Sequence, residues 1–147
     1  MTTAFLIRQM LPEDVAAVAD LTCQLGYPTK EAEIKRRFDL IKERWDARLF
    51  VAKRPDRPIV GWIHVQATYL LESDPRAEIW GLVVSEGARG LGAGRALVEA
   101  AEQWAVRLKL DAVVVRANQM RAQAKGFYEH LGYEITKTQN AFRKTLS

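Results

Sequence analysis

Apolar positions along this chain recur with two periods, and the switches between them lay out the fold. Phe5-Leu6-Ile7-Arg8 reads as a short first strand. Pro12, Glu13 and Asp14 then open a helix, with proline in the first turn and acids at the positive end of the helix dipole. Val15, Val18, Leu21 and Leu25 recur at helical spacing, and Gly26 is the stop. Thr29 is the expected cap of a second helix, whose apolar stripe is Ile34, Phe38, Ile41 and Trp45. Leu49 to Ala52 is a strand, Pro55-Asp56-Arg57-Pro58 a turn, and Ile59 to Leu70 a longer strand. Glu72 to Arg76 reads as a polar loop leading to an apolar strand, Ile79 to Val84.

Beyond that strand, glycine crowds the chain in Arg89-Gly90-Leu91-Gly92-Ala93-Gly94, and helical spacing resumes with Leu97, Ala101, Trp104 and Leu108. Ala112 to Val115 is a continuous apolar run between helices, the pattern of a strand buried on both faces. A last helix is expected from about Met120 to Leu131, ended by Gly132. Tyr133 to Thr136 and Phe142 to Leu146 are read as a closing hairpin. The order β-α-α-β-β-β-α-β-α-β-β predicts an α/β protein with a mixed sheet and helices on both faces. No repeat, linker or low-complexity stretch divides residues 1–147, so one domain is expected.

A strand, a glycine-rich turn and a helix in succession make a phosphate site. The first N–H groups of the helix have no partner within it, and they point outward at the positive end of the dipole. Arg89 adds a cation at the mouth of the turn. Neither common nucleotide fingerprint fits. G-x-G-x-x-G/A ends on Arg95 when started at Gly90 and on Leu97 when started at Gly92, and no lysine follows these glycines as G-x-x-x-x-G-K-[ST] requires.

Composition excludes more than it identifies. The 147 residues are 48% apolar and 27% charged, as in an ordinary soluble globule. No apolar run is long enough to span a membrane, and the first residues lack the layout of a secretory signal. A lone Cys23 has no partner for a disulfide, which with these features favours the cytoplasm. The net charge of +4 is spread among acids rather than gathered in a basic stripe, which argues against a nucleic-acid partner. His64 and His130 have no Cys, Asp or Glu at metal-ligand spacing, so no metal is expected. Cys23 has no basic neighbour and Ser85 no nucleophile elbow; Trp45, Trp62 and Trp104 sit on apolar faces as core candidates.

What does fit the turn is [QR]-x-x-G-x-[GA], filled by Arg89, Gly92 and Gly94. With its strand before and helix after, this segment resembles the acyl-CoA-binding motif of the GNAT superfamily of acetyl-CoA-dependent N-acetyltransferases, and the element order of nearly the whole chain is similar to that fold. The resemblance implies a mixed, mostly antiparallel sheet, with coenzyme A as co-substrate and its pyrophosphate on Arg89, Gly90, Leu91, Gly92, Ala93, Gly94 and Arg95. It also implies strand-like pairing of the pantetheine arm with Leu82, Val83 and Val84, where residues alone allow a plain core strand. Gly81 marks a bulge or a close approach, and a backbone N–H of Val83 or Val84 is placed to serve the oxyanion.

Phe127-Tyr128-Glu129-His130-Leu131-Gly132-Tyr133 resembles the family's aromatic-Tyr-x-x-x-Gly-aromatic signature, which makes Tyr128 the acid that protonates the departing thiolate. Ala124, Phe127, Tyr128 and Leu131 also follow a buried helical stripe, so a tyrosine that only packs is the competing reading. Asn118 matches a cofactor-contacting position or caps the last helix. Glu78, expected on one strand face with Trp80 and Leu82, is the candidate base or water relay, or else a carboxylate that attracts a cationic acceptor. Glu72 and Asp74 are further candidates for drawing in an ammonium group. The resemblance thus implies transfer of acetyl to a small-molecule or peptide primary amine, in a chain whose relatives are often homodimers. A larger acyl donor, or a non-catalytic acyl-CoA-binding module, are the alternatives.

Overall fold

The computed structural model describes residues 5–24, 26–55, 58–116 and 122–147, which fall into two compact units, Met1–Arg116 and Ala117–Ser147. The first unit is built on a five-stranded sheet in the order β1(Leu6–Gln9), β2(Ala47–Lys53), β3(Ile59–Leu70), β4(Ser73–Val84), β5(Val113–Val115). Neighbours pair antiparallel except β4 and β5, which run parallel. Helix α1(Val15–Gln24) and α2(Glu31–Ile41) lie between β1 and β2, and α3(Ala93–Arg107) between β4 and β5. The second unit carries α4(Ala122–His130).

Parity along the strands assigns the faces. On β3, Gly61, Ile63, Val65 and Ala67 are buried on one face, and α3 covers it with Leu97, Val98, Ala101 and Trp104. Each of the larger of these side chains contributes about 1.5–3 kcal/mol by leaving water. The opposite face carries Trp62, His64, Gln66 and Thr68, and α1 meets it where the Trp62 Nε1–H donates to Thr22 Oγ1 at 3.1 Å. The expected helices on both faces are therefore α1 and α3.

The α1 entrance is held by one carboxylate. Asp14 is buried and accepts both Arg8 guanidinium nitrogens, at 2.7 and 3.0 Å, as well as the Leu11 N–H at 2.8 Å. Burial by itself pushes the Asp14 carboxyl up, but the bonds from Arg8 and Leu11 more than reverse it and hold it below the usual carboxylate range. A group whose pKa is depressed on folding stabilises the native state above its unfolded pKa and loses that contribution as the pH falls through the folded value. The urea midpoint of the wild type is accordingly expected to exceed that of Asp14→Asn at pH 6, with the gap closing below about pH 4. A gap that stays constant between those pH values would contradict this role.

Several elements differ from the sequence reading. Lys30, not Thr29, takes the cap of α2: its N–H donates to Glu33 Oε1 at 3.0 Å, while the Thr29 hydroxyl donates to the Tyr27 carbonyl. Glu72 to Arg76 is no loop. Ser73 already pairs with Leu70, so a two-residue turn at Leu71-Glu72 joins two 12-residue strands, and polar composition here marks an exposed hairpin end. Trp45 lies beyond α2 and is 64% exposed, its ring 6.0 Å from that of Tyr69; Trp104 is the tryptophan that is core. β5 is half-buried rather than buried on both faces. Residues 133–147 form no strands, so the closing hairpin is absent. Lys137-Thr138-Gln139-Asn140 has no glycine for a tight turn, and Ile135, Phe142 and Leu146 are too sparse to bury a face.

Gly81 does mark a bulge. His64 pairs with Gly81 and Val65 with Ile79, so Trp80 is the extra residue on β4. The bulge resets parity: Glu78 and Trp80 share the His64 face, but Leu82 pairs with Ile63 and belongs to the α3 face, not with Glu78 as expected. Glycine is required because a Cβ here would stand 2.8 Å from two carbons of the Trp62 ring, and that ring is pinned by its bond to Thr22. Gly81→Ala is expected to cost about 1–3 kcal/mol, read as a lower denaturant midpoint. A midpoint equal to wild type would show that the ring yields.

Candidate active site

The donor side is built where β4 ends. After Val84 the chain makes a single 3₁₀ turn, Glu86–Ala88, then passes through Gly90 at φ 78° and Gly92 at φ 97° into α3. Both angles lie in the left-handed region that side chains avoid. A Cβ at either position would meet nothing within 4 Å, so both glycines border open space. Gly92 is the N-cap of α3 and supplies no side-chain cap. Among the described residues, no side chain caps the first-turn N–H groups of Ala93, Gly94 and Arg95, at the positive end of a 15-residue helix. Ala93 and Leu97 are fully buried and fix the start of the helix against the sheet. Arg89 folds back so that its Nε–H donates to the Val84 carbonyl at 3.3 Å, tying the turn to the end of the strand. These features suit a diphosphate: N–H donors stand at the positive end of the helix dipole, Arg89 lies in the same turn, and Gly90 and Gly92 leave the space beside it open.

The strand behind the turn is paired unevenly. β3 runs beside β4 along its length, whereas β5 pairs only Ala77, Glu78 and Ile79, with Val113, Val114 and Val115. Among the described residues no strand adds to Trp80–Val84 on that second edge. Register decides which main-chain groups face that edge. With the Ser85 N–H on the Val60 carbonyl, Val83 is hydrogen-bonded to Trp62 across the sheet, so Leu82 and the Val84 N–H, not Val83, are turned outward as strand addition requires.

Upstream of the bulge, β3 and β4 wall a cavity of about 500 Å³ with His64, Gln66, Thr68, Leu70, Arg76, Glu78, Trp80 and Arg116. Glu78 is 2% exposed and sits between two guanidiniums. Arg76 Nε and Nη2 both lie 3.0 Å from Oε1, and Arg116 Nε lies 3.4 Å from Oε2. Arg116 also stands over the ring of Trp80, 5.6 Å from its centroid. Burial, with a smaller contribution from the charge of Arg44, pushes the His64 imidazole below its ordinary pKa, so it is neutral at pH 7. Its Nε2 is buried with no hydrogen-bond partner among the described residues.

In the second unit Tyr128 packs edge-on between Phe127 and Tyr133, with ring centroids 5.0 and 5.8 Å away. Burial pushes its phenol up to about 12. Its O–H therefore persists throughout the physiological range, and passing that proton to a thiolate of ordinary pKa is uphill by roughly 5 kcal/mol. That is steeper than an unperturbed phenol would give. Asn118 lies outside the described residues.

The family model for "Acetyltransferase (GNAT) family" matches residues 15–133. The chain belongs to the GNAT family. Among solved structures, a GNAT-like fold recurs in a transcriptional regulator from Bacillus halodurans C-125 (24% identity, 96% of this chain and 100% of that one covered, TM-score 0.85). It recurs also in the aminoglycoside N-acetyltransferase AAC(6')-Iy in complex with CoA (19%, 99% and 98%, TM-score 0.86). A third is glucosamine-6-phosphate N-acetyltransferase from Arabidopsis thaliana (22%, 95% and 98%, TM-score 0.79). At these identities the likeness concerns the fold. No curated protein matches the sequence. No helix among the described residues of this GNAT protein is long and apolar enough to cross a membrane.

Sequence reasoning missed Arg76, Arg116, His64, Gln66 and Thr68 as walls of one cavity. The alternation His64-Gln66-Thr68 was the available signal: polar residues at every second position of a long strand occupy one face. Arg76 was hidden by the mistaken loop, since only a strand puts it beside Glu78.

Proposed function

We propose that this chain transfers acetyl from acetyl-CoA to a primary amine by direct attack, without a covalent enzyme intermediate. The observation that supports it most is the uncapped N-terminus of α3, standing on Gly90 and Gly92 just beyond the unpaired edge of β4. In this reading Arg89, Gly90, Leu91, Gly92, Ala93, Gly94 and Arg95 hold the diphosphate, and the pantetheine arm runs along Leu82, Val83 and Val84, pairing with the outward groups of Leu82 and Val84. The amine nitrogen bonds to the acetyl carbon as the carbon–sulfur bond breaks, giving an amide and CoA thiol, and a proton passes from the amine to solvent or to Glu78. The backbone N–H of Val84, rather than that of Val83, which pairs with Trp62, faces the carbonyl oxygen as its charge grows, a kind of contact worth about 3 kcal/mol where one has been removed. Tyr128, protonated at working pH, donates its O–H to the departing sulfur. Glu78 serves as proton acceptor through water, with Arg76 and Arg116 fixing its position.

The test is thiol release from acetyl-CoA across a panel of primary amines, followed with a thiol-reactive dye. Turnover with at least one amine is expected. Tight acetyl-CoA binding with no turnover would favour a non-catalytic sensor, and faster release from a longer acyl-CoA would move the donor assignment.

A further inference from the structure

The cavity beside Glu78 has a charge pattern opposite to the one a polycationic acceptor needs. Its described walls carry two guanidiniums and one carboxylate, leaving one positive charge in excess. What a ligand meets is more lopsided still. The Glu78 side chain is 2% exposed, against 18% for Arg76 and 36% for Arg116, so the acid lies beneath and the cations face inward. Glu78 holds Arg76 from below, and Trp80 backs Arg116, so the two guanidiniums are set in place before any ligand arrives. The acids expected to draw in an ammonium group do not take part: Glu72 and Asp74 sit exposed at the hairpin end and do not line the cavity. Of the remaining walls, Gln66 and Thr68 add hydrogen bonding without negative charge, and His64, Leu70 and Trp80 bring no acid.

We infer that the acceptor is an amine that also bears an oxyanion, a carboxylate or a phosphate, which Arg76 and Arg116 receive. This rests on the reading of the chain as an amine acetyltransferase and narrows its substrate class. Guanidiniums match planar and tetrahedral oxyanions through paired N–H donors, where a compact ammonium finds only repulsion. The same cations help the chemistry: a nearby positive charge disfavours the ammonium form of the acceptor and so favours the neutral amine that attacks. With Trp80 53% exposed, the wall also offers a flat apolar surface to the body of the ligand.

The experiment compares matched amines on the wild-type protein, so it does not depend on any variant folding. L-Phenylalanine is set against its methyl ester, glucosamine 6-phosphate against glucosamine, and kanamycin and spermidine serve as polycations. The oxyanion-bearing member of at least one pair is expected to show a kcat/KM about tenfold or more above its partner without the oxyanion, and whichever pair responds tells carboxylate from phosphate. Arg76→Gln and Arg116→Gln are each expected to erase that preference, while Arg76→Lys retains part of it. Calorimetry of the same compounds in the presence of CoA separates the two levels of the argument. An anion that binds in an Arg76-dependent way without turnover keeps the oxyanion site and overturns the transferase reading, and with it the role of the anion as acceptor. Turnover that is equal within pairs, or best with kanamycin or spermidine, overturns this inference and keeps the transferase. If neither turnover nor anion binding is seen, both fall.

Discussion

Replacing Gly92 with glutamate is expected to abolish coenzyme A binding, raising its Kd more than about 100-fold by calorimetry while the protein stays folded. Two effects act together. Gly92 holds φ at 97°, where a side chain costs about 1–2 kcal/mol in backbone strain. The new carboxylate would also stand at the N-cap of α3, taking the N–H groups and the positive dipole end that a diphosphate would use. The second effect stabilises the helix, so the fold should tolerate what the ligand cannot. Gly92→Ala separates the two, since it carries the strain without the charge and should weaken binding by about tenfold or less. Unchanged affinity in Gly92→Glu would remove the anion cradle, and with it the assignment of the donor site.

Tyr128→Phe is expected to lower kcat about 100-fold, within the usual range for losing a positioned acid, with the Kd for CoA changed less than about threefold. Because the phenol is pushed up to about 12, the wild-type kcat should show no alkaline fall from this group below about pH 11. The sign follows from burial: the phenolate is the disfavoured form, so the O–H is retained as pH rises. A variant that loses stability but keeps its kcat would return Tyr128 to a packing role between Phe127 and Tyr133.

Order and type of most elements were legible because periodicity reports burial directly. Leu97, Ala101 and Trp104 recur at helical spacing because one helix face covers the sheet, and the structure buries all three. The glycine turn was legible for a different reason, since left-handed backbone leaves a compositional mark that needs no tertiary knowledge. What stayed hidden depends on pairing. Gly81 signalled a bulge or a close approach, but nothing local says that Trp80 is the residue skipped in the ladder, and that skip decides which side Leu82 faces. The two arginines on Glu78 come from positions 76 and 116, brought together only when β5 lies parallel to β4. Polar residues were equally ambiguous at Ser73 and Asp74, where a strand end in water resembles a loop.

The extra residue at Trp80 divides a single strand into two territories. Before it, β4 contributes side chains, Arg76, Glu78 and Trp80, to the chamber shared with β3; after it, the bare backbone faces an open edge. Under the proposed roles, recognition of the varying partner and grip on the invariant one are thereby uncoupled along one strand. Retargeting such a scaffold would mean rewriting positions upstream of the kink and leaving everything downstream untouched.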